Sequence, residues 1–134
     1  PTGLFRSRPN QLWRGMHVPH NWCSVPLVLY KQFGGYKKMR HSMDFEWFHR
    51  YYRERGFQGF KVIDEVLGSY KLGGHSDIHY REGFETNSKI LINNGTPRVL
   101  ATLLGMAYTV KHQVRHRLLS RKVSQNDQNY RSRQ

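Results

Sequence analysis

The segment NNGTPRVLATLLGMAYTVKHQVRH, residues 93–116, carries the clearest structural pattern of the sequence. Thr96 offers a hydroxyl that can cap a helix, and Pro97 suits the first helical position, where its missing N–H is not needed. Apolar side chains then recur on one face at helical spacing, at Val99, Leu100, Leu103, Leu104 and Ala107. The segment therefore predicts an amphipathic helix that begins near Pro97.

The end of the same segment shows a different period. Between residues 110 and 117, valine or histidine alternates with lysine, glutamine or arginine. A period of two favours a final strand with a basic outer face. A continued helix is the alternative, because His112 and His116 are four residues apart and would share one helix face.

Residues 42–56 predict another helix from its end signals. Ser42 can cap the N-terminus, acidic residues occupy the first turn, arginines occupy the last turn, and Gly56 offers a left-handed stop. Three aromatic side chains fall at helical spacing and predict the buried face: Phe45, Phe48 and Tyr52.

Short apolar runs predict strands at residues 27–32, 60–66 and 88–92. The glycine-rich stretch around residues 67–87 has no clear period and predicts an inserted loop or irregular hairpin. The order strand, helix, strand, helix, strand predicts helices packed on a small sheet, which is an α+β sandwich. Residues 27–118 would form this domain.

The flanking segments predict extensions. Residues 1–26 contain Pro1, Pro9, Pro19 and Pro26, with aromatic and basic residues between them, and predict an extended arm that needs a partner surface. Residues 119–134 are polar and predict a basic tail. The chain starts with Pro rather than Met, which predicts residues upstream, either a removed targeting segment or further chain.

The charge is the strongest functional signal. Twenty-two Lys and Arg against nine Asp and Glu give a formal net charge of +13 in 134 residues. The simplest partner for that charge is a phosphate backbone, and an anionic membrane surface is the second candidate. No apolar run is long enough to span a bilayer. The single cysteine, Cys23, excludes an internal disulfide framework.

Catalysis and metal binding have weak signals. His17, His20 and Cys23 are evenly spaced, but zinc sites need four fixed ligands, usually with paired cysteines. Contacts of these histidines with RNA or neighbouring protein are the better interpretation. Asp64 and Glu65 are adjacent in a predicted strand and would point to opposite faces. We therefore expect no enzyme, no cofactor, no metal and no small-molecule substrate.

Nucleic-acid binding has more support, because aromatic residues are interleaved with the basic ones. Side chains that could stack on unpaired bases are Trp13, Trp22, Tyr36 and Trp47. The basic clusters comprise Lys31, Lys37, Lys38, Arg40, His49, Arg50, Arg53, Arg55, Lys111, Arg115, Arg117, Arg121 and Lys122. They would neutralise phosphates and position the protein rather than read sequence.

Two stretches of the chain resemble the bacterial and mitochondrial forms of large-subunit ribosomal protein thirty. Thr96-Pro97, the helix after it and Val110-Lys111 follow that family's pattern of Thr-Pro, amphipathic helix and short strand. The stretch LVLYKQFGGYKK, residues 27–38, looks like the family's first strand, glycine and basic loop. The resemblance covers residues 27–60 and 88–115. It implies a small ferredoxin-like α+β fold that binds large-subunit rRNA, with contacts at Lys31, Gly34, Lys37, Lys38 and Arg40.

The insertion, the arm and the tail have no counterpart in the compact form of that family, and such expansions suit a mitochondrial ribosome. We therefore expect a non-catalytic structural protein of the large ribosomal subunit in the mitochondrial matrix. Its partners would be large-subunit rRNA and neighbouring ribosomal proteins. The alternative is a peripheral accessory subunit of a mitochondrial respiratory membrane complex, which would also be basic, aromatic-rich and tailed.

Overall fold

The structure is a computed structural model that describes residues 6–65, 68 and 78–131, with the backbone alone at residue 116 and beyond residue 117. The regular elements of these residues are four α-helices: α1 (Leu27–Phe33), α2 (Met43–Arg55), α3 (Tyr80–Asn93) and α4 (Arg98–Arg131). Short 3-10 turns lie at Pro9–Gln11, His20–Trp22 and Phe57–Gly59.

The predicted α+β, ferredoxin-like sandwich is wrong, because the described residues are helical and contain no strand. The insertion predicted around residues 67–87 is described at residue 68 and from residue 78, and from Tyr80 onward it is α3. The rest of that insertion, residues 1–5 of the arm and residues 132–134 of the tail lie outside the described residues.

The first predicted strand, residues 27–32, is α1. The carbonyl of Pro26 accepts a hydrogen bond from the backbone N–H of Leu29 at 2.9 Å and starts the helix. Tyr30 and Phe33 then face α2 together, with ring centroids 5.0 Å from Trp47 and 5.1 Å from Tyr51. A strand would place residues three apart on opposite faces, so packing against α2 selects the helix.

The predicted strand at residues 88–92 is the last part of α3. Ile90 and Leu91 are adjacent and both buried, at 3% and 2% exposure. A strand with one face on a core buries only alternate residues, whereas α3 lies between α2 and α4 and can bury neighbours. The helix therefore satisfies this apolar run better.

The remaining predicted strand, residues 60–66, is described as far as residue 65 and pairs with no strand in that part of the chain. Phe60 has an extended backbone and packs on Phe48 and Tyr51. Val62 and Ile63 are more than half exposed. This segment is an extended connection whose one aromatic anchor is Phe60.

The helix predicted at residues 42–56 is confirmed as α2. Gly56 ends it with φ +66°, and its N–H donates to the carbonyl of Tyr52 at 2.8 Å. Ser42 does not cap the helix through its side chain; its hydroxyl lies 3.4 Å from the carbonyl of Gly83 in α3. The buried face is wider than predicted: Phe45, Glu46, Trp47, Phe48, His49 and Tyr51 are buried, and Tyr52 is half-buried.

The turn between α3 and α4 explains why NNGTP stands in the sequence. Gly95 adopts φ +89°, a conformation that favours glycine. Its N–H donates to the carbonyl of Ile92 at 3.0 Å, and the N–H of Thr96 donates to the carbonyl of Leu91 at 2.9 Å. These two bonds form a Schellman motif, which ends α3, and Pro97 then leads directly into α4. The result is a helical hairpin.

The predicted final strand after Val110 is wrong, and the alternative of a continued helix is correct. α4 runs through this region to Arg131, so it also crosses the predicted boundary between residues 118 and 119. His112 is held on the α3 side by stacking on Tyr80, with ring centroids 4.1 Å apart and planes at 15°. The alternation of residue types between residues 110 and 117 therefore does not correspond to a strand.

The buried core joins residues 6–26 to α2, α3 and α4. It contains Leu12, Val18, Phe45, Trp47, Phe48, Tyr51, Ile90, Leu91 and Ala101. Leu12 and Val18 belong to residues 6–26, the described part of the expected arm, which therefore packs on the helices. None of the helices in the described ranges combines the length and the apolar character that crossing a bilayer requires.

Candidate nucleic-acid interface

The candidate interface is built on residues 34–42, which connect α1 to α2 and which we call the basic loop. Its first two residues are fixed by α2. The indole Nε1 of Trp47 donates to the carbonyl of Gly34 at 2.8 Å, and Arg50 Nη2 donates to the carbonyl of Gly35 at 3.1 Å. Gly34 has φ +75°, so the chain leaves α1 in a conformation that favours glycine.

A buried carboxylate fixes the middle of the basic loop. Glu46 is 4% exposed, and its Oε1 lies 2.7 Å from Nζ of Lys37. Arg50 holds the same carboxylate through Nε and Nη2, each at 3.2 Å. Burial alone would raise the pKa of Glu46, but the hydrogen bonds and charges of Arg50 and Lys37 outweigh it and lower the pKa below its usual value. Glu46 therefore stays ionised and holds the loop to α2.

An aromatic cluster supports the same loop. The hydroxyls of Tyr36 and Tyr30 are 3.1 Å apart, and the Tyr36 ring meets Trp47 edge-on at 6.3 Å. Burial and the hydrogen bond to Tyr30 raise the pKa of Tyr36 to about 12, so the phenol stays neutral at physiological pH. Tyr36 is 45% exposed, and its stacking on a base stays a prediction. Trp47 is 1% exposed, so its predicted role in stacking on bases is wrong.

The structure divides the predicted RNA-binding residues of this region into two groups. Lys37 and Arg50 are engaged with Glu46, and Gly34 is engaged with Trp47. Lys31 lies in the last turn of α1, and Lys38 and Arg40 lie in the basic loop; all three are exposed and pair with no acidic side chain of the described residues. The first group shapes the loop, and the second presents its charge.

Two α2 residues of the predicted interface lie elsewhere. Arg53 is exposed and lies beside the α3–α4 turn, where a Cβ on Gly95 would be 3.4 Å from its Nη2. His49 was predicted on the polar side of α2 but is 1% exposed, between the rings of Phe45 and Tyr52. Burial, and then the nearby charge of Arg53, lower the pKa of His49 to about 4. His49 is a neutral core residue and takes no part in a basic surface.

A second basic region lies on α4. Lys111, Arg115 and Arg117 are exposed, as predicted, on the helix rather than on a strand. The side chains of Arg121 and Lys122 are outside the described part of α4.

Sequence reasoning missed that residues 6–26 add charge to this region. His17 Nε2 and the hydroxyl of Tyr108 form a hydrogen bond of 2.8 Å. Burial, together with the charges of Arg14, Lys111 and Arg8, lowers the pKa of His17 to about 4. Arg8, Arg14 and Lys111 thus all act on the His17 ring. Gly15 is the signal for this contact, since a Cβ there would lie 3.1 Å from the Tyr108 ring.

The three evenly spaced residues that resemble a metal site have separate partners. His17 bonds Tyr108, His20 Nδ1 lies 2.7 Å from Oδ2 of Asp44, and the Cys23 thiol lies 3.2 Å from the carbonyl of Pro19. Over the described ranges, no three His, Cys, Asp or Glu side chains are grouped so that they could hold a metal ion. Each of the three therefore fixes residues 6–26 to the helices or to themselves.

Comparisons of the chain with models of protein families, with curated proteins and with solved structures gave no match.

Proposed function

We propose that the chain is a non-catalytic structural protein of the large subunit of the mitochondrial ribosome, and that it binds rRNA through its basic loop. Because the described chain is helical, the proposal does not include the ferredoxin-like fold of ribosomal protein thirty. What supports it is the charge of the chain and the construction of the loop.

The proposal rests on two groups of cations at the basic loop. Lys37 and Arg50 are held by Glu46, whereas Lys38 and Arg40 are exposed. Lys37 and Arg50 neutralise the buried carboxylate, so they hold the loop in one conformation. Lys38 and Arg40 are then displayed from a loop whose backbone is already ordered. A pre-ordered loop loses less conformational entropy on binding, which favours contacts with a rigid phosphate backbone.

The net charge of +13 supports the same partner. Binding of Lys and Arg to phosphates releases counterions, and this supplies affinity that does not depend on sequence. Exposed Tyr36 adds a ring beside the charged residues, which suits stacking on an unpaired base.

Sedimentation of the tagged chain from a gentle lysate, with and without RNase, tests the proposal. We expect the chain to migrate with the large ribosomal subunit and to leave that fraction after RNase treatment. Migration that RNase does not alter would contradict rRNA as the main partner. Repeating the gradient with mitochondria and with cytosol would test the proposed organelle.

A second candidate is the peripheral subunit of a respiratory membrane complex. It is favoured by one observation, a row of exposed apolar side chains on α4, which suits contact with protein. In the same gradient this candidate predicts migration with a membrane complex that is indifferent to RNase.

A further inference from the structure

α4 is apolar on two opposite faces. Its inner face packs on α3: the Tyr108 ring stacks on Phe84 at 5.8 Å, and Ser88 of α3 reaches the carbonyl of Ala101 at 3.1 Å. Five other apolar residues of α4 are between 49% and 73% exposed, and we call them the outer seam: Val99, Leu103, Met106, Val110 and Val114. At about 100° per residue, the outer seam lies on the side of α4 opposite Ala101 and Tyr108.

An exposed apolar row of this kind has a cost that a surface helix normally avoids. Helices on the surface of a globular protein place polar residues opposite their buried face, and helices apolar on both sides are buried. Contiguous exposed apolar patches mark interaction sites. The outer seam is therefore the strongest sign in the described chain of a surface that is covered in the assembled state.

The spacing of the outer seam indicates the shape of its partner. Its residues follow one another at intervals of four, three, four and four. Apolar residues at alternating intervals of three and four form the seam along which one helix packs on another. The seam also continues into a groove of about 640 Å³ between α3 and α4, which Met106 and Val110 line together with Phe84 and Ile92. A helix lying on the seam can insert side chains into this groove.

The charge around the seam indicates the chemistry of its partner. Residues 98–117 contain no Asp or Glu, and the flanks carry Arg98 and Lys111, with Arg117 at the end of the row. On the α3 side, the groove is lined by one residue of each sign, Glu85 and Lys89. A second copy of the chain would bring the same basic flanks and another charge of +13, so repulsion disfavours it. RNA has no aliphatic surface to cover valine, leucine and methionine. The seam also contains no aromatic residue of the kind that anchors helices in a membrane interface.

We propose that the outer seam docks an amphipathic helix of a partner protein whose flanks carry acidic residues. The seam residues bury against the apolar face of that helix. Arg98, Lys111 and Arg117 pair with its carboxylates and set its direction. This surface is separate from the basic loop, so the proposal stands or falls independently of RNA binding.

Two designed helical peptides test the proposal with the purified full chain. Both have three heptads with leucine at the apolar positions; one has glutamate at the flanking positions and the other has lysine. We expect saturable binding of the glutamate peptide by fluorescence anisotropy, and binding at least about tenfold weaker for the lysine peptide. Equal binding of both peptides, or no saturable binding of the glutamate peptide, would overturn the proposal.

Substitutions locate the binding surface. Leu103→Ser with Val110→Ser should weaken the glutamate peptide about tenfold or more, because both side chains lie at the centre of the seam. Val28→Ser is the matched control: Val28 is 63% exposed on α1, away from the seam, and its substitution should leave the affinity unchanged. Far-UV circular dichroism verifies that the variants are folded. An equal loss in the control, or no loss in the seam variant, would show that the peptide binds elsewhere.

Three further measurements distinguish a partner helix from the other candidate occupants of the outer seam, which are RNA, a second copy of the chain and a membrane. Charge reversal at Lys38 and Arg40 in the basic loop should leave peptide affinity unchanged even where it weakens RNA binding. Sedimentation of the chain alone should give a monomer; a dimer abolished by the seam substitutions would replace the proposal with self-association. Anionic vesicles of phosphatidylcholine and phosphatidylserine should bind the seam variant as they bind the unsubstituted chain. Loss of vesicle binding in that variant would identify a membrane as the occupant instead.

Discussion

The carboxylate of Glu46 in α2 lies 2.7 Å from the ammonium group of Lys37 in the basic loop. The two residues are of very different exposure, because the Glu46 side chain is buried and the Lys37 side chain is 63% exposed. One end of the ion pair is therefore held by the core, and the other end fixes a surface loop. Through this ion pair, a residue of the core stabilises the conformation of a charged surface loop.

Substitution Glu46→Gln should lower the free energy of unfolding by about 1–3 kcal/mol, because it keeps the shape of the side chain and weakens three charge-assisted hydrogen bonds, one from Lys37 and two from Arg50. Since the folded-state pKa of Glu46 is lowered, its contribution is fully present above the ordinary pKa of glutamate and is lost as pH falls below it. Urea unfolding at pH 7 and below pH 4 measures both effects. Glu54→Gln, an exposed change on the same helix, is the control and should have little effect. Equal effects of the two substitutions would contradict the structural role of Glu46.

His49 should make the protein less stable as pH falls from about 6.5 towards 4. Its folded-state pKa is about 4, so below pH 6.5 the unfolded chain binds a proton that the folded chain does not. The loss amounts to about 3 kcal/mol at the end of this range. His49→Phe fills the same place between Phe45 and Tyr52 without a proton, and its urea midpoint should fall less between pH 7 and pH 4. Parallel pH profiles for the two proteins would exclude His49 as the source.

Gly105→Ala should destabilise the α3–α4 hairpin by about 1–3 kcal/mol, because the added Cβ would lie 2.4 Å from Ser88 Oγ. Adding Ser88→Ala removes that oxygen, so the double variant should be more stable than Gly105→Ala alone. Thermal unfolding of the unsubstituted chain, Gly105→Ala, Ser88→Ala and the double variant gives the coupling free energy between residues 88 and 105. Gly83→Ala is the control: it lies in α3 with no atom within 4 Å of its Cβ position, and it should stabilise the helix by about 0.5–1 kcal/mol. Additive effects at residues 88 and 105 would contradict the close contact.

Charge reversal at Lys38 and Arg40 should weaken binding to large-subunit rRNA and lower the slope of log affinity against log salt by about two, one for each lost phosphate contact. Lys37 stays unsubstituted because it holds Glu46. Lys61→Glu with Lys89→Glu makes the same change in net charge at exposed positions outside the loop. That control should leave the slope unchanged. Similar slopes for both double variants would mean that the basic loop is not the RNA-binding surface.

The sequence predicted those elements whose ends carry local signals. α2 has an acidic first turn, a basic last turn and Gly56, and its bounds were found to within a residue. The runs at residues 27–32 and 88–92 have no such signals, and a short apolar run fits a strand and a buried helix equally well. The helical structure of both runs depends on contacts with other helices, of α1 with α2 and of α3 with α2 and α4, and these contacts are not visible within the run itself. The prediction of a sheet therefore failed where packing, rather than local pattern, selects the structure.

The same distinction applies to the candidate site. The sequence predicted Lys37 and Lys38 in a basic loop before the helix and Arg50 on the polar side of that helix, all as RNA-binding residues. It did not predict that Glu46 is buried between two of them, since an acidic residue in a first turn also suits the helix dipole. The position of Arg8, Arg14 and Lys111 around His17 was also not predicted. Gly15 indicates this packing only once Tyr108 is known to lie beside it, and the packing includes the contact between His17 and Tyr108.

That contact has a consequence for how the chain is made. His17 and Tyr108 are separated by 91 residues, so residues 6–26 emerge during translation long before their binding surface on α4 exists. At about 5–20 residues per second, the delay is roughly 5–20 seconds. During this time Leu12 and Val18 lack the part of their core that α4 supplies. Residues 6–26 are thus synthesised well before α4, and they reach their place only after α4 has formed.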